Sequence, residues 1–157
     1  MSLIYQLFTG TPAQDLNTTG VKLIVPMCES LKIVEYGFIS TATDPGATGV
    51  LKLQYVDGAA SPNTVDLDSF TVPTAAAVGD IVSQRVDILV DKLLDKYLAS
   101  VSGTPGTLTS EADGFVAVQL NVTTAFGAGV TGTVYMKAAM AGTQKGPATS
   151  QTLVTTI

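Results

Sequence analysis

The sequence predicts a mainly β protein, a two-sheet antiparallel sandwich of jelly-roll or Greek-key type with one inserted amphipathic helix at about 80–98. Apolar and polar residues alternate with a period of two through most of the chain, which is typical of half-buried strands. Threonine, a β-branched residue that favours strands, occurs 22 times among the 157 residues. Turn sequences rich in Gly, Pro, Asn and Asp separate seven or eight such segments, as in sandwich folds.

The predicted strands follow one another along the chain. Residues 51–55 alternate between apolar and polar side chains before the turn pair Asp57-Gly58. Residues 116–122 alternate in the same way and combine an apolar face with a weakly polar one. The sequence predicts further strands at 19–26, 31–41, 64–72, 130–140 and 149–156.

The N-terminal residues 1–12 have two interpretations. They are compatible with an arm or edge strand that adds to the sheet of a neighbouring subunit, and also with a first strand of the same domain. No linker divides the chain, so we expect one sandwich domain over 1–157. We predict that an interface between subunits includes Leu3, Ile4, Tyr5, Leu7, Phe8 and Tyr135.

The segment from Asp80 to Leu98 departs from the period of two. Its apolar residues recur at spacings of three and four, which predicts an amphipathic helix with Val82, Val86, Leu89, Leu93 and Tyr97 on one face. A strand at 81–90 is the alternative, because Val86, Ile88 and Val90 also alternate with polar residues. We favour the helix, since its periodicity extends over five turns and that of the strand over barely three pairs.

The composition argues against an enzyme and against a cofactor. The chain has no His, no Trp, one Cys and one Arg. General acid–base catalysis depends most often on His, and structural zinc needs several Cys and His ligands. We therefore predict no catalytic residue, no metal site, no cofactor and no small-molecule substrate.

Charge and hydropathy also limit the choice of partner. The net charge of -5 disfavours nucleic acid, which requires clustered Lys and Arg. No apolar run approaches the length of about 20 residues that spans a bilayer, so we expect no membrane insertion. The N-terminus has no basic region of a signal peptide, which indicates assembly in a cytoplasm.

Two motifs have simpler explanations than a binding site. Residues 127–132 match a dinucleotide-binding glycine pattern, but a strand-like segment follows instead of a helix, so we predict a glycine-rich hairpin loop. Asp66 and Asp68 are two residues apart and are predicted to share one face of a strand. The acidic residues of the predicted helix are expected to form a solvated stripe rather than a calcium site.

The low charge indicates self-association. Hydrophobic residues make up 46% of the chain and charged residues 13%, and the mean hydropathy is +0.38. The last 44 positions, from Gly114 onwards, contain no acidic residue. A chain segment with so little charge is poorly suited to form an exposed sheet face or edge, so we expect a homo-oligomer and favour a trimer.

A segment of the chain resembles a known group of proteins. The stretch from Val21 to Ile39 contains a strand that ends at Pro26, a short polar link, and a long strand with Val34-Glu35-Tyr36-Gly37, followed by Gly49–Leu53. This order is similar to a pattern in small virion proteins of tailed bacteriophages, and it covers about a quarter of the chain. The predicted helix departs from the pattern.

The resemblance implies a jelly-roll-like sandwich that is present in many copies on the capsid surface, often as a trimeric decoration or cement protein. The expected partners are further copies of the chain and the major capsid protein or other virion proteins. The alternatives are another head or tail assembly protein of a phage and a carbohydrate-binding jelly-roll module. The resemblance transfers no catalytic residue.

Overall fold

The computed structural model describes residues 4–26, 31–42, 49–57, 64–72, 77–90 and 115–140. These residues form nine β-strands and no helix. In chain order the strands are β1 (Tyr5–Thr9), β2 (Gln14–Asp15), β3 (Gly20–Pro26), β4 (Leu31–Ala42), β5 (Val50–Asp57), β6 (Thr64–Thr71), β7 (Ile81–Val90), β8 (Phe115–Thr124) and β9 (Thr131–Met140).

The strands form two antiparallel sheets. Sheet 1 has the order β1-β9-β4-β7, and β2 also pairs with β9 beyond the end of β1. Sheet 2 has the order β3-β8-β5-β6. The pairing is nested: β1 and β2 pair with β9, β3 pairs with β8, β4 with β7, and β5 with β6. Consecutive strands therefore alternate between the sheets at most positions along the chain.

The inner faces of the two sheets share one hydrophobic core. Apolar residues of β4 and β9 pack with those of β5 and β8, and Phe126, in the loop after β8, lies edge-on to Phe38 with ring centroids 5.4 Å apart. The period-two alternation of these strands places their apolar side chains inside, which explains why the sequence predicted β4, β5, β8 and β9. The fully buried large side chains are Tyr36, Tyr55, Phe38, Phe126, Leu16, Leu31, Ile33, Leu51, Leu53, Leu120 and Met136.

The helix prediction is wrong over the residues that the structure describes. Ile81–Val90 is strand β7, which pairs with β4 along its whole length. Val86 and Ile88 pack against the core, whereas Leu89 points away and is 55% exposed. The strand alternative is therefore the correct one. The remainder of the predicted helix, 91–98, lies outside the described residues.

The glycine-rich loop at residues 127–132 is not a hairpin. Residues 125–130 lead from β8 in sheet 2 to β9 in sheet 1, so the connection crosses from one sheet to the other, and 131–132 already belong to β9. Gly127 and Gly129 have φ angles of 116° and 79°, a region that glycine adopts without strain. The loop continues into a strand, as the sequence indicated.

A register shift in sheet 2 separates the two aspartates of β6. The shift lies between Leu53 and Gln54 of β5. Asp66 consequently accepts hydrogen bonds from Lys52 and Gln54 on the outer face, whereas Asp68 accepts one from the buried Tyr36 between the sheets. The prediction that Asp66 and Asp68 share one face is therefore wrong.

Candidate functional site

The exposed apolar side chains of the described residues are concentrated on sheet 1. Eight large hydrophobic residues are exposed, and six of them lie on or beside its two edge strands, β1 and β7. These six are Ile4, Tyr5, Leu7, Val78, Ile81 and Leu89. The other two, Val21 and Ile24, lie on β3 of sheet 2. Exposed apolar side chains that are grouped in this way mark an interaction surface more often than isolated ones do.

A groove crosses the outer face of sheet 1. Its volume is about 340 Å³, and it runs from β1 over β9 and β4 to the start of β7. Most of its lining residues are apolar or aromatic, and Glu35 and Lys137 add one carboxylate and one ammonium group. The lining residues are Tyr5, Gln6, Leu7, Glu35, Ile39, Ile81, Tyr135 and Lys137.

A glycine in β4 makes room for the floor of the groove. Gly37 pairs with Tyr135 of β9 on one side and with Ser83 of β7 on the other. A Cβ atom at this position would collide with the carbonyl oxygen of Val82 and lie 2.7 Å from the Cα of Ser83. Tyr135 interacts with Ser83, two strands away, so its side chain spans the position of Gly37. A glycine within a strand is often found at such a close approach.

The tyrosine of the groove floor belongs to a polar cluster. Tyr135 is only 5% exposed, and its hydroxyl interacts with Ser83 and with Glu35. The Ser83 hydroxyl donates a hydrogen bond of 3.2 Å to a carboxylate oxygen of Glu35. Burial raises the pKa of Tyr135, and the Glu35 carboxylate adds to this effect, so the hydroxyl is neutral at physiological pH.

The charges beside the groove are loosely paired. Lys137 lies between Leu7 of β1 and Glu35 of β4 in the register. Its ammonium nitrogen lies 5.7 Å from the centroid of the Tyr5 ring, within the range of a cation–π contact. On the other side of Glu35, the Arg85 Nε lies 3.9 Å away and the Arg85 side chain is 90% exposed. The surface therefore combines apolar edges with a weakly compensated charged centre.

The outer face of sheet 2 is built differently. The Gln54 side-chain oxygen accepts hydrogen bonds from Gln119 and Asn121, and its amide nitrogen donates to Asp66. Lys52 forms a salt bridge with the same Asp66. Hydrogen bonds to Gln54 and Lys52 hold the pKa of Asp66 below its usual value. These polar groups satisfy one another, so this face offers less apolar surface to a partner than sheet 1 does.

The structure brings together some of the interface residues that the sequence predicted. Ile4, Tyr5 and Leu7 are exposed, and the last two line the groove together with Tyr135. Phe8 packs against the hydrophobic core, so its side chain belongs to the interior. Leu3 lies outside the described residues. The sequence analysis missed the groove residues Gln6, Glu35, Ile39, Ile81 and Lys137.

The N-terminal segment is an edge strand of its own domain. β1 pairs with β9 of the same chain, from Tyr5 opposite Ala139 to Thr9 opposite Tyr135. Within the described part of the chain no strand pairs with the other edge of β1. The backbone groups on that edge are available to an additional strand.

Other kinds of site are not found in the described residues. No group of three or more His, Cys, Asp or Glu residues there is arranged to hold a metal ion. The described residues also contain no helix with the length and apolarity that a membrane span requires.

No protein-family model, no curated protein and no solved structure matches this chain. The resemblance to small virion proteins of tailed bacteriophages therefore stays a prediction.

Proposed function

We propose that this protein is a non-enzymatic structural subunit of a virus particle. It acts as a capsid decoration or cement protein, which forms a trimer and binds the lattice of the major capsid protein. Sheet 1 provides the surface for these contacts. The particle surface is its place of action, after assembly in the cytoplasm of the host.

The nested strand pairing supports a jelly roll, a fold used by many viral capsid domains. A jelly roll has eight strands in two four-stranded antiparallel sheets. If β1 and β2 are counted as one interrupted strand, the first pairs with the eighth, the second with the seventh, the third with the sixth and the fourth with the fifth. Such a fold serves several functions, so the choice among them depends on the surface.

The distribution of exposed apolar residues carries the proposal. A subunit that binds other protein subunits needs an extended surface with an apolar centre or apolar anchors. Sheet 1 offers such anchors at both edges, including Leu7 at 60% and Ile81 at 65% exposure. Sheet 2 has a satisfied polar network over its central strands. Sheet 1 is thus better suited to assembly than sheet 2, where the network residues Gln54 and Gln119 are buried.

The test is to locate the protein in purified virus particles. Mass spectrometry of particles banded in a density gradient gives its copy number relative to the major capsid protein. We expect a high copy number relative to the major capsid protein. We also expect that the protein can be removed from the particles while the capsid shell stays intact. Detection in the soluble fraction of infected cells, together with absence from the particles, would refute the proposal.

A carbohydrate-binding module is the second candidate. The groove favours it, because the Tyr5 ring lies 5.7 Å from the ammonium nitrogen of Lys137 and lines the same groove as Glu35. Against it, Tyr36 and Tyr55 are buried in the core and Tyr135 exposes little of its ring. Among the tyrosines that the structure describes, this leaves Tyr5 to stack against a sugar ring. Binding of a glycan in an array, lost in Tyr5→Ala, would favour this candidate.

A further inference from the structure

We infer that the free edge of β1 binds a strand from the C-terminal segment, residues 149–156, of a neighbouring copy of the chain. The inference rests on the proposed self-association and names the segment that produces it. The segment adds to sheet 1 next to β1, so that this sheet grows by one strand in the oligomer.

The backbone of β1 leaves specific groups free for this strand. The Gly10 N–H donates to the carbonyl oxygen of Val134 in β9, so the backbone groups of Gly10 face β9. Along an antiparallel strand, the backbone N–H and C=O groups of successive residues point alternately to one side of the strand and to the other. Gln6 and Phe8 consequently face β9 as well, whereas the N–H and C=O groups of Tyr5, Leu7 and Thr9 face the free edge.

The side chains of this edge lack the usual protection against pairing. Natural edge strands carry Lys, Pro or bulges that hinder the addition of another strand. Residues 4–9 contain none of these residue types, and the β1–β9 pairing shows no register shift. Ile4 is 80% and Leu7 60% exposed beside the edge. An added strand would cover both side chains.

The chain that follows β9 has the properties of such a strand. β9 ends at Met140, one residue after Ala139, which lies opposite Tyr5. Residues 141–157 contain no acidic residue and only one Lys, and 149–156 is rich in β-branched residues. The eight residues 141–148 reach at most about 29 Å when extended. They suffice to carry the strand to an adjacent molecule.

The direction of the strands favours a neighbouring copy over the same chain. β9 runs antiparallel to β1, so a segment that turns back after Met140 runs parallel to its own β1. All pairings in the described sheets are antiparallel. A neighbour related by rotation can present its β1 in the antiparallel orientation. When each copy donates its segment to the next copy around a three-fold axis and accepts one from the previous copy, the contact is head-to-tail and the ring closes.

Two variants of the full-length chain separate backbone pairing from side-chain packing. Leu7→Pro removes the outward N–H and the leucine side chain, and Leu7→Ala removes the side chain alone. The β1–β9 hydrogen bonds do not use the Leu7 N–H, so the sandwich is expected to fold in both variants. We expect light scattering to give a trimer for wild type and Leu7→Ala, and a monomer for Leu7→Pro. The inference would be overturned if Leu7→Pro formed a trimer that dissociates no more readily than the trimer of Leu7→Ala.

A peptide experiment tests the segment itself. A fluorescent peptide of residues 141–157 is titrated into a chain truncated after Met140, whose folding is checked by circular dichroism. We expect a monomer that binds the peptide, with at least about tenfold weaker binding in its Leu7→Pro form than in its Leu7→Ala form. A truncated chain that stays trimeric refutes the strand exchange and leaves the proposed self-association intact. If the wild type is monomeric and the truncated chain binds the peptide, the segment covers its own β1, and exchange between copies is refuted.

Discussion

Tyr36 connects the two sheets by a hydrogen bond within the core. Its side chain is fully buried, and its hydroxyl donates to a carboxylate oxygen of Asp68 at 2.8 Å. The ring also meets Phe70 edge-on, with centroids 6.3 Å apart. A carboxylate so close to a hydrophobic core is stable because this donor satisfies it. The pair therefore fixes how β4 of sheet 1 lies over β6 of sheet 2.

The first prediction concerns the hydroxyl of Tyr36. Tyr36→Phe preserves the ring but leaves Asp68 without its donor, so we expect a loss of about 1–3 kcal/mol in the free energy of unfolding. Tyr5→Phe makes the same chemical change on the surface and is expected to stay within about 0.5 kcal/mol. Urea denaturation measures both. Equal stability of the two variants would show that the hydrogen bond contributes nothing.

The second prediction is a loss of stability in alkali. An unfolded tyrosine ionises near pH 10, whereas burial, reinforced by Asp68, raises the pKa of Tyr36 in the folded protein. Above about pH 10 the unfolded state releases a proton that the folded state retains, so the free energy of unfolding decreases as the pH rises. We expect a smaller decrease for Tyr36→Phe between pH 9 and 11. Identical slopes for the two proteins would contradict this cause.

The third prediction distinguishes neighbouring residues of β7. Ile88 packs against the core and Leu89 points to solvent beside Lys32 of β4. Ile88→Asp is expected to cost about 2–5 kcal/mol, because it removes apolar burial and places a carboxylate at the core. Leu89→Asp is expected to change stability by less than about 1 kcal/mol. Chemical denaturation of both variants is the measurement, and a larger loss for Leu89→Asp would argue against the strand.

At the scale of the elements, β4 organises sheet 1. It pairs with β9 on one side and β7 on the other, and both pairings shift register between Ile33 and Glu35. After this shift Tyr36 and Phe38 face the core, while Glu35 and Gly37 face outwards. A bulge of this kind changes the direction of the following side chains. The groove on the outer face depends on it.

The fourth prediction tests the close approach at Gly37. Gly37→Ala places a methyl group against the carbonyl oxygen of Val82, where no flexible side chain can give way. We expect a loss of at least about 2 kcal/mol, because β7 must move away from β4. Thermal unfolding followed by circular dichroism measures the change. A loss below about 0.5 kcal/mol would mean that the strands adjust freely at this point.

The sequence predicted most strands because the alternation of apolar and polar residues reflects which face of each strand packs against the core. It did not predict β2, since Gln14–Asp15 is too short to show a pattern. It misassigned Ile81–Val90 because Val82, Val86 and Leu89 also fit a helical spacing. The alternation of Val86, Ile88 and Val90 was the local signal for a strand, and pairing with β4, a long-range contact, decides between the two structures. The predicted strand at 149–156 lies outside the described residues.

The candidate site was predicted in part for a similar reason. Tyr5 and Leu7 lie near each other in the sequence and share one face of a strand, so local alternation identified them. Glu35, Ile81 and Lys137 join them through the registers of β4, β7 and β9. A register between distant strands cannot be read from one sequence. The glycine within β4 was the available signal, because it indicates a close approach of a neighbouring strand, here the backbone of β7 at Val82 and Ser83.

The whole molecule presents two unlike outer surfaces. Among the described residues, sheet 1 combines apolar edges and a groove with a strand, β1, that has a partner on one edge only. The central strands of sheet 2 carry hydrogen-bonded amides, and the neighbouring β6 carries the carboxylate of Asp66. A subunit that binds its neighbours through one sheet needs apolar surface on that sheet. This asymmetry supports the proposal that copies of the chain associate through sheet 1.

Light scattering of purified protein at about 100 µM tests this claim most directly, since associations weaker than this would escape detection. The wild type is compared with Leu7→Asp/Ile81→Asp on sheet 1 and with the matched double variant Val21→Asp/Ile24→Asp on sheet 2. We expect the wild type and the sheet 2 variant to be trimers, and the sheet 1 variant to be a folded monomer. A monomeric wild type, or a trimer that survives the sheet 1 substitutions and dissociates with those on sheet 2, would contradict the claim.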